Sequence, residues 1–561
     1  MRYQSGFHGK KCMEIARTLA KTVHMNPEQL SFLMPLGDGL DPDNRWVRMA
    51  QLVPWHLVEE EYGRRFRRDR VGRRPLTARV ALGALIVKER LGLTDRETVE
   101  QICENPYIQY FLGFGSFSSV PPFDASLMVH FRKRLGAEFV MTMNQQIVNA
   151  VVQQQQASSG ETDDEDDEGE GADHGSSSDD SSVAADHDQD SAVGGVMIID
   201  ATCTPADITY PTDLKVVNQA REATERIIDD LHRPHVGTLP RPRTYRCRAR
   251  QAFVSAIKSK KVTRSARRRS VGRQLRFLRR NLGIIDRAVA SGRWDLRLLH
   301  RDWYKKLLVA AEVLRQQMYL YRSNARSIPN RIVSVSQPHV RPIVRGKSGV
   351  PVEFGAKISA SCCDGYALLD RISWEAYHEG QDLPVQAEAY RNRTGRYPAV
   401  IHADKAYTTR ANRDWCKQRG IRLGGLAPGR PPTDPAALRS RRRQARNDEG
   451  ARQPIEGVFG RGKRRWSLQR IMAKLADTSA TVIALVFLVM NLEYIFVLVC
   501  CLALLWMITR PAGSASWRCS VDMQPGFLRL LDSGHWGSVM RGLCSASPIS
   551  LRTASFRLQP D

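Results

Sequence analysis

The segment GGVMIIDATCTP, residues 194–205, holds a short apolar run from Val196 to Ile199 that stops at a single carboxylate, Asp200. Its composition reads as a buried strand. A strand cannot stand alone, because its backbone donors and acceptors need ladder partners. The next β-rich texture comes only after SIPNR, in RIVSVSQ, VEFGAKISASC, YALLDRISW and YPAVIHAD. Residues in between, about 214–328, are helical in pattern: Leu214, Val217, Ile228 and Leu231, then Leu275, Leu278, Leu282 and Ile285, then Leu299, Trp303, Leu307 and Leu314. The expected fold is therefore α/β, a mixed sheet flanked by helices, with its first strand cut off from the others by a helical insertion.

Directly upstream, residues 153–195 hold 14 acids and no Lys or Arg, so the rest of the chain carries a net +39 against +25 for the whole. The acidic stretch is too polar to repay the entropy of ordering and reads as a linker. The basic remainder points to a polyanionic partner, DNA above all, although a generally basic solvated surface has the same balance.

Residues 45–152 read as helical. Thr94 and Glu97 form a capping box, and FDASLMVHFRKRLG gives a short helix ending in Arg132, Lys133 and Arg134. Helix, turn and basic helix suit a DNA-reading module; an ordinary bundle whose last turn matches the helix dipole fits the same residues. A second basic run, IKSKKVTRSARRRSVGRQLRFLRR, includes Arg267, Arg268 and Arg269, which suit phosphate contact.

Two carboxylates stand out by context. Asp200 ends VMIID and Asp404 ends AVIHAD, so both emerge near strand ends, where ligand sites of α/β sheets lie. Either alone fits an Asp that caps the next turn. Side by side, two buried carboxylates are tolerable mainly with a cation between them. A third acid, Glu456, sits in ARQPIEGVFGRGKRRW, where Ile455, Val458, Phe459, Gly462 and Trp466 form one helical face from Ala451 to about Trp466. Arg452, Glu456 and Lys463 run along its margin, either reaching over the sheet toward the aspartates or forming a surface pair. Asp207, Asp213 and Asp364 are competing ligands, with Asp364-Gly365 better suited to a hairpin turn.

IIDATCTPADITYPTD, VEFGAKISASCCDGYALLD, YPAVIHADKAYTTRANRDWC and IEGVFGRGKRRWSLQRI together resemble the DDE transposases of bacterial insertion sequences, in the group related to insertion sequences four and five, over roughly residues 45–497. The resemblance implies an RNase H-like catalytic domain in which Asp200, Asp404 and Glu456 hold two Mg²⁺ or Mn²⁺ ions and Arg452 and Lys463 contact DNA. It also implies element terminal inverted repeats and target DNA as partners, a homodimer on DNA, and a bacterial, cytoplasmic, nucleoid-associated protein. Glu449 stands where the family's Y-x2-R-x3-E-x6-K signature has Tyr. The expected organisation is an extension (1–44), a helical DNA-binding domain (45–152), the linker (153–195), a catalytic domain (196–497) with its insertion, and an atypical tail (498–561).

Two other readings compete. A decayed copy would bind DNA without cutting it. A membrane span over Thr481 to Ile508 meets the polar break at Asn491 and Glu493, which leaves two runs each short of 18 residues and favours a core helix and no membrane. The N-terminus lacks a secretory signal pattern, and the 11 cysteines include no C-x-x-C pair, so a reducing cytosol fits.

Overall fold

The computed structural model describes residues 36, 39–64, 76–159, 195–259, 263–344, 352–425 and 433–509. Most of the extension, the acidic stretch from 160 to 194 and the tail from 510 onward lie outside them. The described residues form a mixed α/β fold, a central sheet flanked by helices with further helices at the amino-terminal side.

The sheet has six strands: β1 (Val196–Pro205), β2 (Arg341–Val344), β3 (Val352–Cys363), β4 (Tyr366–Ser373), β5 (Val400–Ala403) and β6 (Arg422–Leu423). Strand β1 is central, antiparallel to β3 on one edge and parallel to β5 on the other, with β6 parallel beyond β5. The far edge of β3 is shared by β2 and β4. The β3–β4 hairpin turns at Asp364 and Gly365, both at positive φ (52° and 86°), the pair of conformations a two-residue hairpin requires. A Cβ on Gly365 would strike the Tyr494 hydroxyl.

RIVSVSQ departs from expectation. Its residues Ile332, Val333, Ser334 and Val335 are all buried, but no ladder forms there and the paired strand starts later, at Arg341. Side chains take over the ladder's role: Ile332 N–H donates to Gln316 Oε1 (2.9 Å), and Gln337 Nε2 donates to the Asp207 carbonyl (2.9 Å).

The insertion consists of α7 (Asp213–His232), α8 (Arg246–Lys258), α9 (Arg264–Ala290) and α10 (Arg301–Ser323). α7, α9 and α10 enclose a core of their own, built from the apolar positions read from the sequence, including Val217, Leu231, Leu278, Ile285 and Leu307. One face of the sheet is covered by α11 (Leu383–Thr394) and α12 (Arg410–Lys417), which bury Met197 and Ile199. The opposite face, through Ile198, Ile358 and Ala360, packs against α13 (Pro435–Arg465) and α14 (Ala476–Thr509). α13 begins well before the expected Ala451, because Asp434 caps it, accepting from the Ala436 and Ala437 N–H groups (3.0 and 2.9 Å), and Pro435 occupies its first turn.

The amino-terminal helices are α1 (Arg45–Leu52), α2 (Trp55–Gly63), α3 (Ala78–Leu91), α4 (Asp95–Glu104), α5 (Pro106–Phe111) and α6 (Leu127–Ser159). The Thr94/Glu97 capping box opens α4 as read, and α6 breaks at Gly136 (φ 69°), which ends the short helix expected there before helix resumes into the stretch read as linker. These helices share one continuous core with α13, α14 and the sheet. Polar links cross that core too: Arg90 pairs with Glu493, and the Ser467 N–H and hydroxyl both donate to Glu89.

The polar break in the apolar carboxyl-terminal run does not divide the helix. α14 has mean hydropathy 2.6 over Ala476–Cys501 and is long and apolar enough to span a bilayer, yet it is largely buried inside the fold. Asn491 explains this. β4 is an edge strand, and the Asn491 side chain serves it as a neighbouring strand would: Oδ1 accepts from Ala367 N–H (2.9 Å) and Nδ2 donates to Ala367 C=O (2.8 Å) and to Asn144 (2.9 Å). Replacement Asn491→Leu leaves the Ala367 N–H buried and unpaired and the Ala367 C=O with only the longer bond from Asn144 Nδ2 (3.4 Å). It should cost about 2–4 kcal/mol in denaturant unfolding, whereas replacement of an exposed polar residue should cost little.

Candidate active site on the α13 face of the sheet

Side-chain alternation decides which residues of β1 can meet α13. Met197 and Ile199 face α11, so Ile198, Asp200 and Thr202 face α13. The parallel register with β5 pairs Ile198 with His402 and Ile199 with Ala403, so Asp404, the next residue, falls beside Asp200 on the same face. Asp200 Oδ1 accepts from the Ala201 N–H (2.7 Å). Asp404 Oδ1 accepts from the Lys405 N–H (2.6 Å) and caps the short turn Lys405–Tyr407. Both sequence readings of Asp404, strand-end acid and turn cap, hold at once.

α13 enters through the apolar face expected of it: Ile455, Val458, Phe459, Gly462 and Trp466 are buried. That docking brings the marginal stripe over β1. Arg452 Nη1 donates to Asp200 Oδ2 (3.0 Å), its Nη2 to Glu456 Oε1 (2.6 Å) and Glu449 Oε1 (3.0 Å), and Lys463 Nζ donates to Thr202 Oγ1 (2.9 Å). Arg452 is only 12% exposed, Glu456 56%. Glu449, in place of a tyrosine, thus gives Arg452 a further carboxylate.

Burial pushes the Asp200 carboxyl up to about 6; the Ala201 N–H and Arg452 oppose the shift, and repulsion from Asp404 and Glu379 adds to it. The hard oxygen donors that Asp200 and Asp404 supply are of the type that suits a divalent cation. Glu456 does not join the pair directly, because its carboxylate is held on Arg452. Among the described residues no three His, Cys, Asp or Glu side chains converge closely enough to hold a metal ion.

The remaining sequence candidates separate by environment. Arg132 is buried, with Nη1 and Nη2 on the two Asp95 oxygens (3.0 and 2.6 Å), so it ties α4 to α6 and offers no face to DNA; Lys133 and Arg134 beside it are exposed. Arg267, Arg268 and Arg269 are exposed on α9, Arg268 also lying over the Tyr321 ring (4.6 Å). Among the competing acids, Asp207 pairs with Arg470, Asp213 with Arg331 (2.5 Å), and Asp364 makes the hairpin.

Three contributors escaped the sequence reading. Thr202 had a signal, since it lies two residues from Asp200 on the same strand face. Asp448 had a weaker one, sitting one helical turn before Arg452: it accepts from Arg422 Nη1 (3.0 and 3.2 Å) and the Gly425 N–H (2.9 Å) and lies 3.5 Å from His402 Nδ1. Asp448 thereby clamps α13 to β5 and β6. Glu379, held by Lys357 (2.9 Å), comes from a connecting loop with no pattern to announce it.

Two family models match parts of the chain. Residues 401–493 match the transposase DDE domain, a span that includes Asp404, Arg452, Glu456 and Lys463, and residues 35–134 match the transposase domain DUF772. Both transposase domains are thus present in the chain. The uncharacterized protein ORF8 in the nfe locus of Rhizobium meliloti is 36% identical over 114 residues, 20% of this chain and 54% of that protein. The chain therefore spans about half the length of this curated relative. No solved structure matches the chain.

Removal of the clamp should be measurable. Asp448→Ala leaves the Gly425 N–H and Arg422 without their acceptor, and a loss of about 2 kcal/mol is expected, read as a lowered thermal midpoint; Asp448→Asn, which keeps an acceptor, should lose less.

Proposed function

We propose that this chain is a DNA transposase that cuts the ends of an insertion sequence and joins them to target DNA, in the group related to insertion sequences four and five. The observation that supports the reading is the β1–β5 register, which runs to Ile199 opposite Ala403 and so leaves Asp200 and Asp404 as the next residue of each chain, under the helix bearing Arg452, Glu456 and Lys463. The strand order, antiparallel from β2 and β4 through β3 to β1 and then parallel to β5 and β6, supports an RNase H-like sheet. The two transposase domains support the same class.

In this reading Asp200 and Asp404 hold divalent metal, Mg²⁺ or Mn²⁺, with Glu456 as the third carboxylate. When bound, two such ions activate the attacking oxygen and stabilise the leaving one in phosphodiester transfer. The chain's own residues do the rest. Arg452 neutralises Asp200 and Glu456 while they are without metal, and its guanidinium suits a phosphate once those carboxylates are otherwise engaged. Lys463 presents a cation beside Thr202, next along the strand from Asp200. Lys133, Arg134 and the Arg267–Arg269 cluster supply phosphate contacts farther out. The partners are the element's terminal inverted repeats and target DNA, handled by a homodimer on the bacterial nucleoid.

A second reading, a DNA-binding protein without catalysis, is favoured by one observation: Glu456 is held by Arg452 rather than beside the aspartates. One assay separates them. With a duplex carrying the element's ends, the protein should nick and join DNA in Mg²⁺ or Mn²⁺ and not in EDTA, and Asp200→Ala or Asp404→Ala should cut the rate at least about 100-fold while leaving DNA binding intact. Binding without cleavage by the wild type supports the second reading, and unchanged strand transfer by Asp200→Ala contradicts the assignment of that residue.

A further inference from the structure

After α13 the chain turns back along the end of β1. Ile471 N–H donates to the Pro205 carbonyl (2.9 Å), and Asp207 N–H to the Ile471 carbonyl (3.1 Å), so residues 466–471 are fastened beside the strand that carries Asp200. Between them runs an open groove of about 550 Å³, lined by Pro205, Ala206 and Ile208 on one side and Lys463, Arg464, Trp466 and Arg470 on the other.

Three features give this groove a ligand chemistry. First, it is basic: Lys463, Arg464 and Arg470 line it, and of the nearby acids Asp207 is already engaged by Arg470 (Nε to Oδ1, 2.8 Å) and Glu89 by Ser467. Second, Trp466 is 8% exposed and its indole Nε1–H, a group that can only donate, is buried without a protein acceptor. A buried donor of that kind costs stability until an acceptor arrives. Third, the groove continues from the catalytic pair. Thr202, which holds Lys463, lies two residues beyond Asp200 on the same face, roughly 7 Å along the strand, and Pro205 to Ile208 extend the line.

We propose that this groove binds the sugar–phosphate backbone of the DNA strand as it leaves the Asp200–Asp404 pair, with Trp466 Nε1 donating to a phosphate oxygen and Lys463, Arg464 and Arg470 neutralising the phosphates around it. A phosphodiester matches all three features: it is an acceptor, an anion and a repeating one. The proposal rests on the transposase reading for the strand's origin, but the groove's affinity for DNA does not depend on catalysis.

The test uses the full chain and a fluorescein-labelled DNA duplex of random sequence in EDTA, so that cleavage plays no part. Affinity is followed by fluorescence anisotropy across a salt series. Trp466→Phe keeps the ring's packing and removes only the N–H, and should weaken binding about 3-fold to 10-fold at fixed salt. Arg470→Gln, on an exposed side chain (67%), should reduce the slope of log affinity against log salt by about 0.9. Asp207→Asn, which releases Arg470 and keeps its charge, should leave the slope at least as steep as in wild type. Wild-type affinity and slope in both Trp466→Phe and Arg470→Gln would overturn the groove. The two proposals fail separately: a wild type that never nicks DNA, with groove variants that bind weakly, sinks the transposase reading alone; a wild type that cleaves, with groove variants that bind normally, sinks the groove alone.

Discussion

The pairing of β1 with β5 is the constraint from which the candidate site follows. Because Ile199 lies opposite Ala403 in a parallel ladder, the next residue of each strand, Asp200 and Asp404, must lie side by side on one face. A slip of one residue would send either acid to the α11 face, among Met197, Ile199 and Tyr390, where a carboxylate would find an apolar core. β1 is held against such a slip from both edges, by the long antiparallel ladder with β3 as well as by β5. The sheet therefore fixes Asp200 at a place where burial penalises its charge, and the rest of the fold has to compensate.

That compensation is supplied by α13. Arg452 reaches from the helix to Asp200 with one nitrogen and to Glu456 and Glu449 with the other, so a single guanidinium faces carboxylates of both sheet and helix. Its grip depends on the helix being in position, which the apolar face from Ile455 to Trp466 and the Asp448 clamp on Arg422 and Gly425 provide. Removing Arg452 leaves Asp200, which is only 14% exposed, without its cation, while Glu456 and Glu449 remain in water, so sheet register, helix docking and the Arg452–Asp200 pair reinforce one another. The amino-terminal helices extend the same unit, since α14 is buried by them on one side and closes the β4 edge through Asn491 on the other.

Much of this was legible in the sequence because it rests on period and context. The hairpin at Asp364-Gly365, the capping box at Thr94 and the apolar face of α13 each follow from local chemistry, whereas the strand expected to end at Asp200 runs on to Pro205, because its ladder with β3 continues that far and leaves Asp200 in mid-strand. The β-rich composition of RIVSVSQ marks a buried segment but not a paired strand, since a glutamine of α10, Gln316, can satisfy a backbone donor as well as a neighbouring strand can. Arg132 looked like its neighbours Lys133 and Arg134; only the fold shows that Asp95, 37 residues away, claims it. For Glu456 the sequence allows both a lean over the sheet toward the aspartates and a surface pair with Arg452, and the structure shows the pair, with Arg452 between Glu456 and Asp200. Glu379 had no local signature at all, because its proximity to Asp200 is created by a loop.

The central claim is that Asp200 and Asp404 form one cation site, with Arg452 as the charge paired with Asp200. Mn²⁺ titration of the purified chain, followed by electron paramagnetic resonance of the free ion, measures this without reference to activity. The account predicts saturable Mn²⁺ binding in the wild type that is weakened at least about 10-fold by either Asp200→Asn or Asp404→Asn, because each removes a charged ligand from the same site. Mn²⁺ binding that is equally strong in the wild type and in both variants would contradict it.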